Sequence, residues 1–230
     1  MSTRSIPSLP EFAALARRFA LYGEVAAAVP HGSGHINDTF AVTVSQAGAP
    51  VRYILQRINH SIFTDVPAMM ENITRVTAHQ RARMEAVGAA DASRRALTVV
   101  PGRDGLPYAR DGRGDWWRAW LFIENALTYD KIETPAQART AARAFGEFQR
   151  LLADLPGGRL RETIPAFHDT PRRYAALEAA IAADTAGRAA AAAEEIAFAR
   201  NREPLSRRLA GLLAAGLVPE RVTHNDTKLN

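Results

Sequence analysis

The chain has 230 residues, a formal net charge of +5 and an isoelectric point near 10.1. With 47% hydrophobic and 23% charged residues it reads as globular, long enough for one large domain or two small lobes. It has no cysteine, which excludes disulfides and thiolate metal sites.

No apolar run approaches the roughly 20 residues that span a bilayer. The start, Met1 to Pro7, lacks the apolar core of a signal peptide. No membrane partner is expected, and cytoplasm is the default location. The positive charge suits a nucleotide or a nucleic acid. The basic residues fall in pairs and interrupted runs such as Arg81-Ala-Arg83 rather than blocks, which argues against a nucleic-acid partner.

In chain order, Ser8 and Glu11 have capping-box spacing and open a helix to Ala20, with Phe12, Leu15, Ala16 and Phe19 on one face. Strands are predicted at Glu24–Val29, Thr39–Val44 and Arg52–Ile58, with a Gly-containing loop from Pro30 to Asp38 between the first two. Asp65 caps a helix running to Val87, with Pro67 near its first turn. Strands follow at Leu97–Pro101 and Asp115–Ile123. From Thr134 the pattern is helical: a helix starting at Thr134-Pro135-Ala-Gln137, another over 170–184, and more over 187–200 and 204–215. A short strand, Arg221–Thr223, leads into the last motif.

A sheet-containing part, residues 1–125, thus precedes a helical part, residues 126–230, joined by a single crossing at Phe122–Asp130. A cleft between such halves is a natural ligand site. Trp116, Trp117 and Trp120 read as core or interface aromatics. Apolar faces on the helices over 134–155 and 171–184 are candidates for exposure.

The chemistry concentrates at the end, in His224-Asn225-Asp226-Thr227-Lys228-Leu229-Asn230. Asp226 can accept a proton from a substrate hydroxyl, and Lys228 can point its ammonium at a transferring phosphate. An Asn five residues after the Asp would complete the catalytic loop of protein-kinase-like phosphotransferases. That position lies beyond Asn230.

Upstream, Gly32, Ser33, Gly34 and Asn37 can lay backbone N–H groups over phosphates, or simply turn a hairpin. Either Gln56 or Arg57 occupies the place where a strand cation would position phosphates. Alternation puts the two on opposite faces, so only one can point into the cleft. Glu71, with Asn72 and His79 near it, is the candidate partner for that cation. Phe122, Ile123 and Glu124 form the crossing, whose backbone would meet adenine. His31 and His35 lack a carboxylate pair or thiol and read as loop histidines. There is no nucleophile elbow, Walker loop or Rossmann fingerprint.

Together "GSGHINDTF", "RYILQRINHSIFTDVPAMMENITRVTAHQ", "WRAWLFIE", "ETIPAFHDTPRRY" and "VTHNDTKLN" resemble the aminoglycoside-phosphotransferase-like family, closest to the branch containing N-acetylhexosamine 1-kinases. The resemblance implies an α+β, bilobal protein-kinase-like fold: an antiparallel-sheet N-lobe followed by the first part of a helical C-lobe. It implies ATP and Mg2+ as cofactors and a small-molecule acceptor, by analogy the anomeric hydroxyl of an N-acetylhexosamine. An aminoglycoside- or choline-type kinase, or a non-catalytic nucleotide-binding module, is the alternative.

By the same resemblance Asp226 is the catalytic base, Lys228 a phosphate contact, and Gly32 to Asn37 the phosphate loop. The resemblance also puts Phe167-His168-Asp169 and Arg172-Arg173 in a family-typical segment expected to border the acceptor pocket. The expected magnesium ligands lie beyond Asn230, so the chain is expected to be an N-terminal fragment, inactive alone.

Overall fold

The computed structural model describes residues 5–227 apart from Ser33, His35, Thr128 and Asp130. Its contacts gather into two compact units, one from Met1–Thr163 with Val222–Asn230, the other from Ile164–Arg221. The architecture is α+β, with one antiparallel sheet and surrounding helices.

In the larger unit, α1 (Leu9–Ala16) starts where Ser8 donates from both its backbone N and its Oγ to the Glu11 carboxylate, at 2.7 and 2.8 Å. Those donors hold Glu11 below the usual carboxylate range. The helix buries Phe12, Leu15 and Ala16. Gly23 then turns the chain into β1 (Glu24–Pro30). Its φ is +113°, and a Cβ there would sit 2.0 Å from the Ser45 carbonyl oxygen, so only glycine fits.

The hairpin β2 (Asp38–Gln46) and β3 (Ala49–Arg57) follows. Next come α2 (Val66–Glu85), the short α3 (Ala92–Arg95), β4 (Val99–Val100), β5 (Ala109–Arg110) and β6 (Trp116–Leu121). Asp65 caps α2 as the sequence predicts, its Oδ1 accepting from the Ala68 amide at 3.0 Å. The strand order is β1-β2-β3-β6-β4, with β5 on β6.

Side chains alternate across these strands, so the sheet has two distinct faces. Phe40, Val42, Val44, Tyr53, Leu55, Trp117 and Ala119 pack on one face under α1. Phe12 meets Phe40 edge-on at 4.9 Å. The Trp117 indole, fully buried, donates to Asp111 Oδ2 at 2.8 Å, which satisfies its N–H. On the other face, α2 covers the β6 side through Met69 and Met70 against Ile58, Val66 and Trp120.

The larger unit also contains α4 (Pro135–Leu151). Thr134 and Gln137 form the capping box read from the sequence: the Gln137 amide donates to Thr134 Oγ1 and the Thr134 amide donates back to Gln137 Oε1.

The smaller unit comprises α5 (Thr170–Ala183), a 3-10 turn at Ala190–Ala192, α6 (Ala193–Arg200) and α7 (Glu203–Ala214). Arg200 binds Glu178 with both arms of its guanidinium, and the Tyr174 hydroxyl donates to the same carboxylate. Arg200 first, then Tyr174, pull the Glu178 pKa down to about 2. None of the described residues in this unit is buried. Leu205, Leu209 and Leu213 stand exposed along α7.

Two features differ from the sequence reading. The strand expected at Arg221–Thr223 does not form: the described residues there belong to no ladder. The two-residue β5 and the four-residue α3 have no counterpart in the sequence reading, because their lengths leave no periodic signal.

Arg57 sits on the α1 face and is buried. Its Nε and Nη2 reach Asp38 Oδ2 at 2.9 and 2.8 Å, its Nη1 lies 3.5 Å from Asp115 Oδ2, and Nη2 also donates to the Ser5 carbonyl. The guanidinium therefore ties β3 to β2, β6 and the N-terminal segment. Removing it would leave Asp38, half exposed, and Asp115, partly exposed, without their counter-charge, and losing such charged hydrogen bonds costs about 2 kcal/mol. Arg57→Met should lower the urea unfolding free energy by about that amount, whereas an unchanged unfolding curve would deny Arg57 this structural role.

Candidate functional site

The face of the sheet opposite α1 carries the arrangement of interest. Cross-strand partners share a face, and the register aligns them in rows. Val29, Ala41, Ile54 and Trp120 form an apolar row across β1, β2, β3 and β6. Beside it Thr39, Gln56 and Arg118 form a polar row.

The polar row is hydrogen-bonded along its length. Gln56 Nε2 donates to Thr39 Oγ1 at 2.7 Å, and Arg118 Nε donates to Gln56 Oε1 at 2.8 Å. Arg118 Nη1 lies 3.8 Å from the Met70 sulfur on α2, and its guanidinium carbon lies 5.1 Å from the Trp120 ring centroid. Burial lowers the Arg118 pKa to about 10, so the group stays charged at neutral pH.

Of the two alternatives on β3, Gln56 faces this side and Arg57 the other. Glu71 does not partner a β3 cation either. Its Oε2 accepts from Arg161 Nε at 2.8 Å, because the chain after α4 returns to α2, which no local pattern in the sequence announces. The sequence marks Trp116, Trp117 and Trp120 on the expected strand Asp115–Ile123 and does not single out Arg118. The available signal was a charged residue inside an otherwise apolar central strand, where charges are rarely left without purpose.

At one border of this face lies the loop leading into β2. Gly32 has φ +78°, and a Cβ at Gly32 or Gly34 would meet nothing within 4 Å. Asn37 Oδ1 accepts from the Asn59 amide at 2.9 Å, fastening the loop's end to the chain after β3. Ser33 lies outside the described residues, as does Lys228.

At the other border is the crossing. The Phe122 amide donates to the Arg52 carbonyl at 3.2 Å. Its ring lies 3.9 Å from the Arg52 guanidinium carbon and meets His31 edge-on at 5.3 Å. Arg52 Nε donates to Glu124 Oε1 at 2.8 Å, and Arg94 donates to the Glu124 carbonyl at 2.7 Å. The Arg52 bond lowers the Glu124 pKa. The Ile123 amide and carbonyl take no hydrogen bond among the described residues.

The segment 222–227 rests on α4. The His224 ring stands edge-on to Phe145 at 5.4 Å and to Phe148 at 5.7 Å. Thr223 Oγ1 donates to Asn225 Oδ1 at 2.6 Å. A cavity of about 240 Å³ is lined here by Phe145, Phe148, Gln149, Thr223, His224, Asn225 and Thr227. The Asp226 side chain is exposed and its amide bonds the His224 carbonyl. The apolar shelf thus holds the histidine, and the aspartate two residues on is left to solvent.

Asn72 and His79, near Glu71 on α2, anchor the segment after α4. Asn72 Nδ2 donates to the Arg161 carbonyl at 2.8 Å while its Oδ1 accepts from the Arg161 amide at 3.0 Å. Arg75 Nη2 donates to the Pro156 and Gly158 carbonyls. His79 pairs with Asp154 at 3.1 Å, which lowers the Asp154 pKa, with Arg83 adding to it.

Among the described residues no three His, Asp or Glu side chains cluster to hold a metal. Mg2+ commonly keeps waters and takes one or two carboxylates plus substrate phosphates.

No protein-family model matches the chain. Among solved structures, spectinomycin phosphotransferase, APH(9)-Ia, in complex with ADP and spectinomycin aligns with a TM-score of 0.43 at 12% identity. The alignment covers 89% of this chain, which spans only 59% of that one. A likeness this distant decides neither family nor activity.

The Asn72 clamp makes a local prediction. Asn72→Ala removes both hydrogen bonds to Arg161, each worth about 1 kcal/mol. Amide exchange at Arg161 should speed up while the β2 and β3 amides keep their protection. Unchanged exchange at Arg161 would mean that the clamp does not hold the segment.

Proposed function

We propose that the chain carries the nucleotide-binding part of an ATP-dependent phosphotransferase acting on a small-molecule hydroxyl. The observation that carries this reading is the face opposite α1. An apolar row, of which Val29 and Ile54 keep exposure for a purine, lies beside a polar row ending in a cation, with a glycine-containing loop at one border and, at the other, an Ile123 amide and carbonyl free of hydrogen bonds among the described residues. The placement of α2 between β3 and β4 agrees with the order of parts that the sequence resemblance implies.

In this reading residues 1–125 form the nucleotide lobe and 126–230 open the helical lobe. Ile123 meets the base edge, as the crossing would in a kinase-like site, with Phe122 and Glu124 beside it. Gly32, Ser33, Gly34 and Asn37 belong to the loop over the phosphates. Asp226 accepts the proton of the acceptor hydroxyl as it attacks the terminal phosphoryl group, and Lys228 offsets the charge of that group. Mg2+ would offset the charge of the phosphates, with no cluster of described residues to hold it. The acceptor proposed from the sequence resemblance is an N-acetylhexosamine.

A thermal melt of the chain with and without ATP tests the reading. A ligand at one hundred times its dissociation constant adds about 2.7 kcal/mol, which moves a domain of this size by roughly 5–10 °C. ATP should raise the melting midpoint by an amount in that range. With ADP present, an N-acetylhexosamine should raise it further where aminoglycosides and choline do not. A cooperative melt indifferent to millimolar ATP would remove the proposal, and a further rise with an aminoglycoside or choline instead would reassign the acceptor.

A further inference from the structure

Arg118 is a guanidinium on a central strand with no carboxylate within ion-pairing distance among the described residues. Neighbouring acids are engaged elsewhere: Asp38 and Asp115 hold Arg57, Glu71 holds Arg161, and Glu124 holds Arg52. Its own contacts are a neutral amide oxygen, a thioether and an indole ring. Arg118 is only partly exposed, and such contacts only partly replace the hydration that a partly buried cation gives up. Charged groups removed from water are normally paired, so the missing partner is an anion.

The surroundings say which kind. Gln56 fixes the Nε edge, and Gln56 is itself fixed by Thr39, so the fork is oriented before any ligand arrives. An oriented guanidinium suits the paired oxygens of a phosphate. Thr39 follows the glycine-containing loop by two residues past Asn37. Arg118 stands four residues before Phe122, roughly 13 Å along the strand. That separation suits a nucleotide whose base lies at the crossing and whose phosphates reach the loop.

We propose that Arg118, held by Gln56, is the polyphosphate-binding cation of this face, taking the part that the sequence pattern would assign to a β3 cation. The inference rests on the nucleotide reading for the identity of its ligand, though not for the existence of the anion site.

The test is calorimetric titration of the full 230-residue chain with sodium tripolyphosphate, ATP and adenosine, on the unaltered protein and on Arg118→Gln and Gln56→Glu. Gln56→Glu keeps the arginine but supplies an internal carboxylate, so it should melt no lower than the unaltered chain and remains informative if Arg118→Gln fails to fold. Both variants should lose at least ten-fold in affinity for tripolyphosphate and for ATP while binding adenosine unchanged.

If the unaltered chain binds tripolyphosphate in an Arg118- and Gln56-dependent manner but ignores adenosine and gains nothing from it in ATP, the anion site stands and the nucleotide reading falls. If ATP and adenosine bind and neither folded variant weakens ATP, the nucleotide reading stands and the role of Arg118 is overturned. If none of the three ligands binds, both fall.

Discussion

Register between β3 and β6 is the constraint on which the rest depends. Gln56 opposite Arg118, and Arg57 opposite Trp117, sort two guanidinium groups onto opposite faces. A slip of one strand by one residue would exchange that strand's side chains between the two faces. A slip of β3 would bring Arg57 out from between Asp38 and Asp115, and a slip of β6 would drive Arg118 into the aromatic core beneath α1. Neither cation could be satisfied there. The two arginines therefore reinforce the hydrophobic pattern: each is tolerable on only one side. Arg57 binds carboxylates and acts on stability, while Arg118 lacks them and is left for a ligand.

Helix α2 connects this face to the remainder of the larger unit. Its apolar side, through Met69 and Met70, covers Trp120 and sets Met70 against Arg118. Its polar side holds residues 154–161 through Asn72, Arg75, His79 and Arg83. Glu71 is drawn to the same segment by Arg161. Movement of that segment would thus pull on the helix that packs beside the proposed phosphate site. Farther along the chain, the docking of His224 on Phe145 and Phe148 fixes where the loop before Asp226 leaves α4.

Local signals carried much of this into the sequence. The capping boxes at Ser8 and Thr134, the Asp65 cap and the alternation through β2 and β3 are each written within a few residues, and each formed. The choice between Gln56 and Arg57 was legible only as a choice, because alternation separates the two faces without saying which is covered. Long-range partners set the rest. Arg161 reaches Glu71 across 90 positions and Arg118 reaches Gln56 across 62. No local pattern encodes such pairings. The strand anticipated at Arg221–Thr223 failed for a related reason: β propensity in three residues needs a neighbouring edge to pair with.

The most direct measurement follows the arginine Nε–Hε resonances of the labelled chain while ADP is added. The Arg118 resonance should move progressively and saturate, while that of Arg57, enclosed by Asp38 and Asp115, stays in place. Movement at Arg57 with none at Arg118 would put the phosphate-binding cation on the wrong face of the sheet and contradict the central claim.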